Sequence, residues 1–502
     1  MTTASDEKPF TRLELALGAF YAFVIFWINL RICRDFFRNV SAPNNSMHGF
    51  WSGMARWADG AWFHPAWWPY WDGGIPFELT YAPGIPFFTS LVASARHVTQ
   101  LLAFNSVTGA LCILAPLTLF LMAWVLTRAP GWAFIAALVY SLSSPTQLLA
   151  PDGNFAWRAF WDARRIYLVG VWDDTPHLAA VALLPLIVLF LSLSIRRRRP
   201  IYYAAAALCI ALASFCSAFG PTDTFLAAVC LVFVLRREHL VSNIAIVAGI
   251  GVYAWAMDAP FLSPAVFTAI RESSSRDGTG WSVASWTALA IVIFGWILLW
   301  IGLRRWTSDW RLRFFGLFAY LMSAIPMLGE YLNRQFLPQP GRYKLEMELA
   351  IALFAVFAIR HTAARLPVSV RVGALLIVLA FAGEQIVSDR AFAKNIVSPA
   401  DPSRMIEARA SLWADRNLPG VRISMPGSIA MWSNLFSPVQ QFAGGAWSMA
   451  YNQVQQRAND TVQNAEDPVT PLLWLRAYGV GAICVSGPKS PEFWKAVRRP
   501  EK

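Results

Sequence analysis

Apolar residues fall in blocks along this chain, and most blocks run to the ~20 residues a helix needs to cross a ~30 Å hydrocarbon core. They predict about eleven spanning helices, near 13–32, 104–126, 131–150, 177–195, 201–219, 222–236, 241–257, 284–303, 312–330, 345–360 and 371–387. The segment 84–98 is apolar too, but it is short and ends at Arg96 and His97. It is predicted to lie at the membrane interface without crossing. The expected architecture is an all-α polytopic membrane bundle over 1–387, followed by a tail of different character over 388–502.

The short polar breaks between blocks set the orientation. Arg128, the run Arg196, Arg197, Arg198 and Arg199, then Arg236 and Arg237, Arg304 and Arg305, and Arg360, Arg365 and Arg371 occupy alternate loops. Short loops rich in arginine face the cytoplasm. The opposite side then holds Asp152, Asp162, Asp173, Asp174, Asp223, Asp258 and Glu330. This places the N-terminus inside and the tail outside a plasma (inner) membrane, with large outer loops at 33–103 and 151–176. The first apolar block has no small-residue cleavage site after it and reads as a retained helix.

In the tail the pattern shortens. Residues 408–416 read as a helix, 421–425 (VRISM) and 482–485 (AICV) as strands, and 471–478 as a helix leading into the second strand. A small extracytoplasmic α/β domain follows from this pattern. It stops soon after the last strand, as a truncated domain would.

Composition narrows the function classes. The chain is 56% hydrophobic and 14% charged, where soluble domains carry about 25% charged residues. Its formal charge of +12 sits in the loops and is accounted for by topology. No basic stripe interleaved with aromatics or zinc-finger spacing points to nucleic acid, so none is expected as a partner. Cys33, Cys112, Cys209, Cys216, Cys230 and Cys484 form no CxxC pair and read as small core residues. Walker A, GxSxG, HExxH and dinucleotide GxGxxG motifs are absent, which removes support for ATP-driven transport and hydrolase chemistry.

Candidate chemistry lies on the outer side, in three places. The first loop crowds Trp51, Trp57, Trp62, Trp67, Trp68 and Trp71 around a Pro/Gly-shaped backbone that carries His48, Asp72 and Glu78. Such tryptophans either form an interfacial belt or offer flat faces to a sugar. Asp72 is either a base or metal ligand, or a residue capping the turn before Gly73; Glu78 is either a site carboxylate or a solvated loop charge. The second loop ends in VWDDTPHL, where Asp173 and His177 share a helical face. Asp174 or Thr175 is equally suited to cap the helix ahead of Pro176. The third place is the turn PGRYKLEMEL, with Arg342, Tyr343 and Lys344 at its edge. Its charges form either snorkelling i,i+4 pairs, Arg342–Glu346 and Lys344–Glu348, or a cationic clamp for a lipid phosphate.

The run G-x-W-x-x-P…W-x-P-x-W-x-x-G-x-P…Y-x-P at 60–83, the second loop leading into a helix with Pro185, and PGRYKLEMEL together resemble the GT-C superfamily of membrane glycosyltransferases. In the tail NLPGVRISMPGS, FAGGAW and LRAYGVGAICVSG resemble a bacterial multipass group labelled 6-pyruvoyl-tetrahydropterin-synthase-related. The resemblance implies a sugar donor carried on polyprenyl phosphate, moved at the outer face to a glycan, lipid or protein acceptor. It also implies a first-loop acid that activates the acceptor or binds a metal; a divalent metal is therefore a possible cofactor, and none is certain. Where that acid is expected, this chain reads Asn44-Asn45-Ser46-Met47 before His48. An amide cannot act as a base. The role passes to Asp72, Asp173 or Asp174, with His48, Trp68, Trp71, Glu78, His177, Arg342, Tyr343 and Lys344 as substrate-binding candidates. Otherwise the chain binds without catalysing, as an envelope-assembly scaffold. A lipid or solute transporter is the third reading, and the inverted repeats it would carry are not found.

Overall fold

The computed structural model describes residues 9–40, 47–59, 67–151, 160–161, 164–171, 174–235, 239–269, 281–363, 367–444 and 453–487. Asn44, Asn45 and Asp173 lie outside these.

The first helix, α1 (Arg12–Cys33), starts at a capping box. The Thr11 hydroxyl accepts from the Glu14 amide, and the Glu14 carboxylate accepts from the Thr11 amide. The loop that follows folds into α2 (Met47–Ala58), a short antiparallel hairpin of β1 (Trp67–Trp68) and β2 (Ile75–Pro76), and α3 (Gly84–Arg96). At 13 residues α3 is about 20 Å long, too short to cross a bilayer core.

The bundle continues with α4 (Gln100–Thr127), α5 (Pro130–Leu142), α6 (Thr146–Leu149), α7 (Arg164–Val171), α8 (Thr175–Arg197), α9 (Pro200–Cys216), α10 (Phe219–Val234) and α11 (Leu240–Asp258). It closes with α12 (Val283–Trp306), α13 (Trp310–Leu332), α14 (Lys344–Ala363) and α15 (Val368–Ile396). The centre is α8, which packs on α4, α9 and α10. From Thr175 to Ile195 all of its residues but three, Leu183, Leu186 and Phe190, are buried.

The protein is a polytopic membrane bundle. Among the described residues seven helices are long and apolar enough to cross, against the eleven predicted. The other four expected spans are shorter or more charged. Ser143, Ser144 and Pro145 end α5 after 13 residues, and α9 and α10 have 17 and 16. The fourth, α14, has 20 residues but carries Lys344, Glu346, Glu348 and Arg360. The last bundle helix, α15, runs on past residue 387 to Ile396, and its Arg390 pairs with Asp35 just beyond α1 at 2.5 Å.

The tail contains α16 (Ile406–Asn417), β3 (Arg422–Ser424), α17 (Gly427–Phe436), α18 (Gln453–Asn464), α19 (Val469–Ala477) and β4 (Val480–Ile483). The strands β3 and β4 pair in parallel. Helix α17 lies along α2 of the first long loop. Three polar links cross this seam: Trp71 Nε1 donates to Asn434 Oδ1 (2.8 Å), Arg56 Nη1 to the Leu435 carbonyl (2.8 Å), and the Gln441 amide to the Tyr70 carbonyl (2.7 Å); within the tail, Gln441 Nε2 also donates to Asn434 Oδ1 (2.9 Å) and holds it in place.

Candidate functional site

The N-terminal ends of α8, α10 and α14 converge on a charged cluster. Asp174 precedes α8 at the capping position, yet its carboxylate caps no amide. It turns sideways instead. Arg342 Nη1 donates to Asp174 Oδ1 at 2.8 Å, and Asp174 Oδ2 lies 3.8 Å from His177 Nδ1. Thr175 and Pro176 start the helix, and the Thr175 hydroxyl bonds Thr108 at 2.9 Å. One turn into α8, His177 Nε2 meets Glu346 Oε1 of α14 at 2.5 Å. Asp223 of α10 completes the group: His177, Asp223 and Glu346 each offer a ligating atom within 4.8 Å of the others.

The i,i+4 pairing of Arg342 with Glu346 does not form. Each finds a partner on α8, because the turn Pro340–Tyr343 is a 3₁₀ segment that aims Arg342 away from the axis of α14. Lys344 bonds Glu330 at 2.9 Å, and Glu348 accepts from Thr146 at 2.8 Å. Tyr343 is buried, with its ring 5.4 Å from that of Phe219; Phe219 stacks on His177 at 4.3 Å. Arg342 differs from its neighbours: its side chain is 46% exposed, and Asp174 engages one edge of the guanidinium. The rest of that fork is open to an anion.

Asp72 lies elsewhere, at the seam between first loop and tail. It adopts φ 52°, followed by Gly73 and Gly74 at φ 79° and 100°, which makes the tight turn of the hairpin. Burial raises its carboxyl to about 6, against an opposing hydrogen bond from the Gly444 backbone. Trp68 and Trp71 are fully packed: Trp71 stacks on Phe50 at 5.0 Å, and Trp68 meets Trp71 at 5.0 Å and Trp57 at 5.6 Å. Their faces are covered by protein rings, and among the described loop tryptophans Trp67 is the exposed one. His48 is buried between Phe104 and Trp432, and burial lowers its imidazole to about 4. Glu78 lies in the short 3₁₀ turn Phe77–Leu79, with its side chain outside the described atoms.

Two residues were missed by sequence reasoning. Asp223 sits inside an apolar run, and an ionisable group there is a functional candidate by default. That signal was present. The other, Tyr81 of the Y-x-P motif, lies within electrostatic reach of Arg342 and Asp174 and so links the first loop to the cluster. Nothing in its local sequence announces this.

Three solved structures of an Archaeoglobus fulgidus oligosaccharyltransferase are similar in fold to this chain. The Archaeoglobus fulgidus oligosaccharyltransferase in its apo form superposes with a TM-score of 0.57, at 12% identity, over 94% of this chain and 69% of that one. The same enzyme, AglB, in complex with an inhibitory peptide and a dolichol-phosphate gives 0.54 at 13% identity, over 93% and 69%. With an acceptor peptide containing the NVT sequon tethered through a disulfide it gives 0.53 at 12%, over 94% and 69%. The chain shares the fold of this oligosaccharyltransferase. At this level of identity the likeness concerns the fold alone. The sequence matches no family model and no curated protein.

Proposed function

We propose that this chain is a membrane glycosyltransferase that takes a sugar from a polyprenyl-phosphate carrier and delivers it to an extracytoplasmic acceptor. The observation that carries this reading is Arg342. Its guanidinium is half exposed at the outer end of the bundle and held in orientation by Asp174 at 2.8 Å. A fixed arginine fork suits the two oxygens of a phosphate. In this scheme Arg342 stabilises the charge that develops on the departing lipid phosphate. Asp174 positions it. Asp72 accepts the proton of the acceptor, its carboxyl raised by burial towards the range a base needs at neutral pH. The dolichol-phosphate in the AglB complex supports a lipid phosphate as the shared ligand, and the tail sequence supports placing the chain in the 6-pyruvoyl-tetrahydropterin-synthase-related lineage.

A second reading, a non-catalytic binder in envelope assembly, is favoured by Asn44 and Asn45 where an acid is expected. Proteoliposomes given radiolabelled polyprenyl-phosphate sugar and an extracytoplasmic acceptor fraction separate the two. The enzyme reading expects label in the acceptor, lost in Asp72→Asn. Donor bound with no label transferred would select the binder.

A further inference from the structure

We infer that His177, Asp223 and Glu346 form a binding site for a divalent transition-metal cation. Three helices supply the donors: α8 gives an imidazole, and α10 and α14 a carboxylate each, all with atoms within 4.8 Å of one another. None is more than 1% exposed. Neither Asp223 oxygen has a hydrogen-bond partner, nor has Glu346 Oε2. The internal link is the contact between His177 Nε2 and Glu346 Oε1. Arg342 is engaged by Asp174, so the positive partner within this group is a protonated His177, shared between two carboxylates. Two carboxylates and one imidazole enclosed in a bundle strongly favour a cation among them.

The donor set names the class of ion. One nitrogen and two carboxylate oxygens suit zinc or manganese better than calcium or magnesium, which favour all-oxygen sites. Three protein ligands leave a coordination position open, as in catalytic sites. The surroundings fit as well. With Nε2 on the metal, the His177 Nδ1 proton faces Asp174 Oδ2, 3.8 Å away, and Asp174 is tied to Arg342. A carboxylate behind a metal-bound histidine fixes its ring and its tautomer. The cation would therefore stand one side chain from the arginine assigned above to the lipid phosphate. Its role in transfer rests on that assignment, whereas its binding does not.

The full-length protein, purified in detergent and stripped with chelator, is offered Mn²⁺ or Zn²⁺ in excess Mg²⁺, and bound metal is counted by mass spectrometry alongside the melting temperature. About one ion per chain with a raised melting temperature is expected, with roughly ten- to a hundredfold weaker binding in Asp174→Asn. Asp223→Asn should lose the ion. Its metal-free melting temperature, equal to or above that of the wild type, would show that it folds. Six free cysteines attract zinc, so the manganese arm decides. Only trace manganese in the wild type, or equal manganese in Asp223→Asn, would overturn the site. Metal binding without lipid binding would leave this inference standing and remove the proposed function; lipid binding without metal would do the reverse.

Discussion

Asp72 pairs a left-handed backbone with a carboxyl that burial raises to about 6. The native state holds that proton over a range, from about 3.8 to 6, in which an unfolded aspartate has lost it. The stability gained from the raised value is complete at low pH and is lost as pH rises through 6. At neutral pH the half-buried anion is a cost. Asp72→Asn keeps the left-handed turn, which asparagine tolerates, and removes the charge. Thermal unfolding in detergent should show a higher melting temperature than wild type at pH 7.5 and little difference at pH 4. A lower value at pH 7.5 would mean that the charge itself holds the seam. For His48 the sign is opposite: lowered to about 4, it withdraws stability as pH falls from 6.5. At this scale the sequence was only partly legible. It offered Asp174 as either a site carboxylate or a helix cap, and Arg342 as either a phosphate clamp or an i,i+4 partner of Glu346; the cap and the i,i+4 pair are the local expectations. In the structure Asp174 and Arg342 find each other across 168 positions, and Glu346 turns to His177. Partners brought close by the packing of the bundle replace an exposed helix pair worth only a few tenths of a kcal/mol.

Helices α2 and α17 meet so closely that Gly49 has no room for a side chain: a Cβ there would fall within the Trp432 indole. Gly49→Val should therefore wedge the tail from the first loop, at about 1–3 kcal/mol for an overpacked contact. Limited proteolysis should cut the tail faster in the variant while the bundle survives; unchanged rates would show that the seam is not held here. Both helices lie where polar loop and tail were read, and the strands at 422–424 and 480–483 fall within a residue or two of the VRISM and AICV segments. The sequence did not disclose that the loop tryptophans pack against the tail. An aromatic belt and a buried aromatic core carry the same composition, and a contact between residues 71 and 434 has no local signature.

For the whole molecule, the apolar blocks foretold a polytopic bundle correctly and its crossings less so. Length and composition single out seven helices, because serine, proline and charge shorten or dilute the other four blocks. The side on which the tail lies is predicted from arginine parity. In a Cys484→Ser background, where the remaining cysteines are buried, Asn417→Cys on the exposed end of α16 should react with an impermeant maleimide from outside intact cells. Reaction only after lysis would invert the topology and take the charged cluster to the other face. The central claim is that this cluster grips a lipid phosphate, and binding of polyprenyl phosphate to the purified protein in nanodiscs tests it most directly. Wild type should bind, and Arg342→Ala should bind roughly ten- to a hundredfold more weakly, the loss of one charge-assisted contact of about 1.5–3 kcal/mol. Asp72→Asn should bind as wild type does, since a base acts mainly in the transition state. Equal binding by wild type and Arg342→Ala would contradict the account.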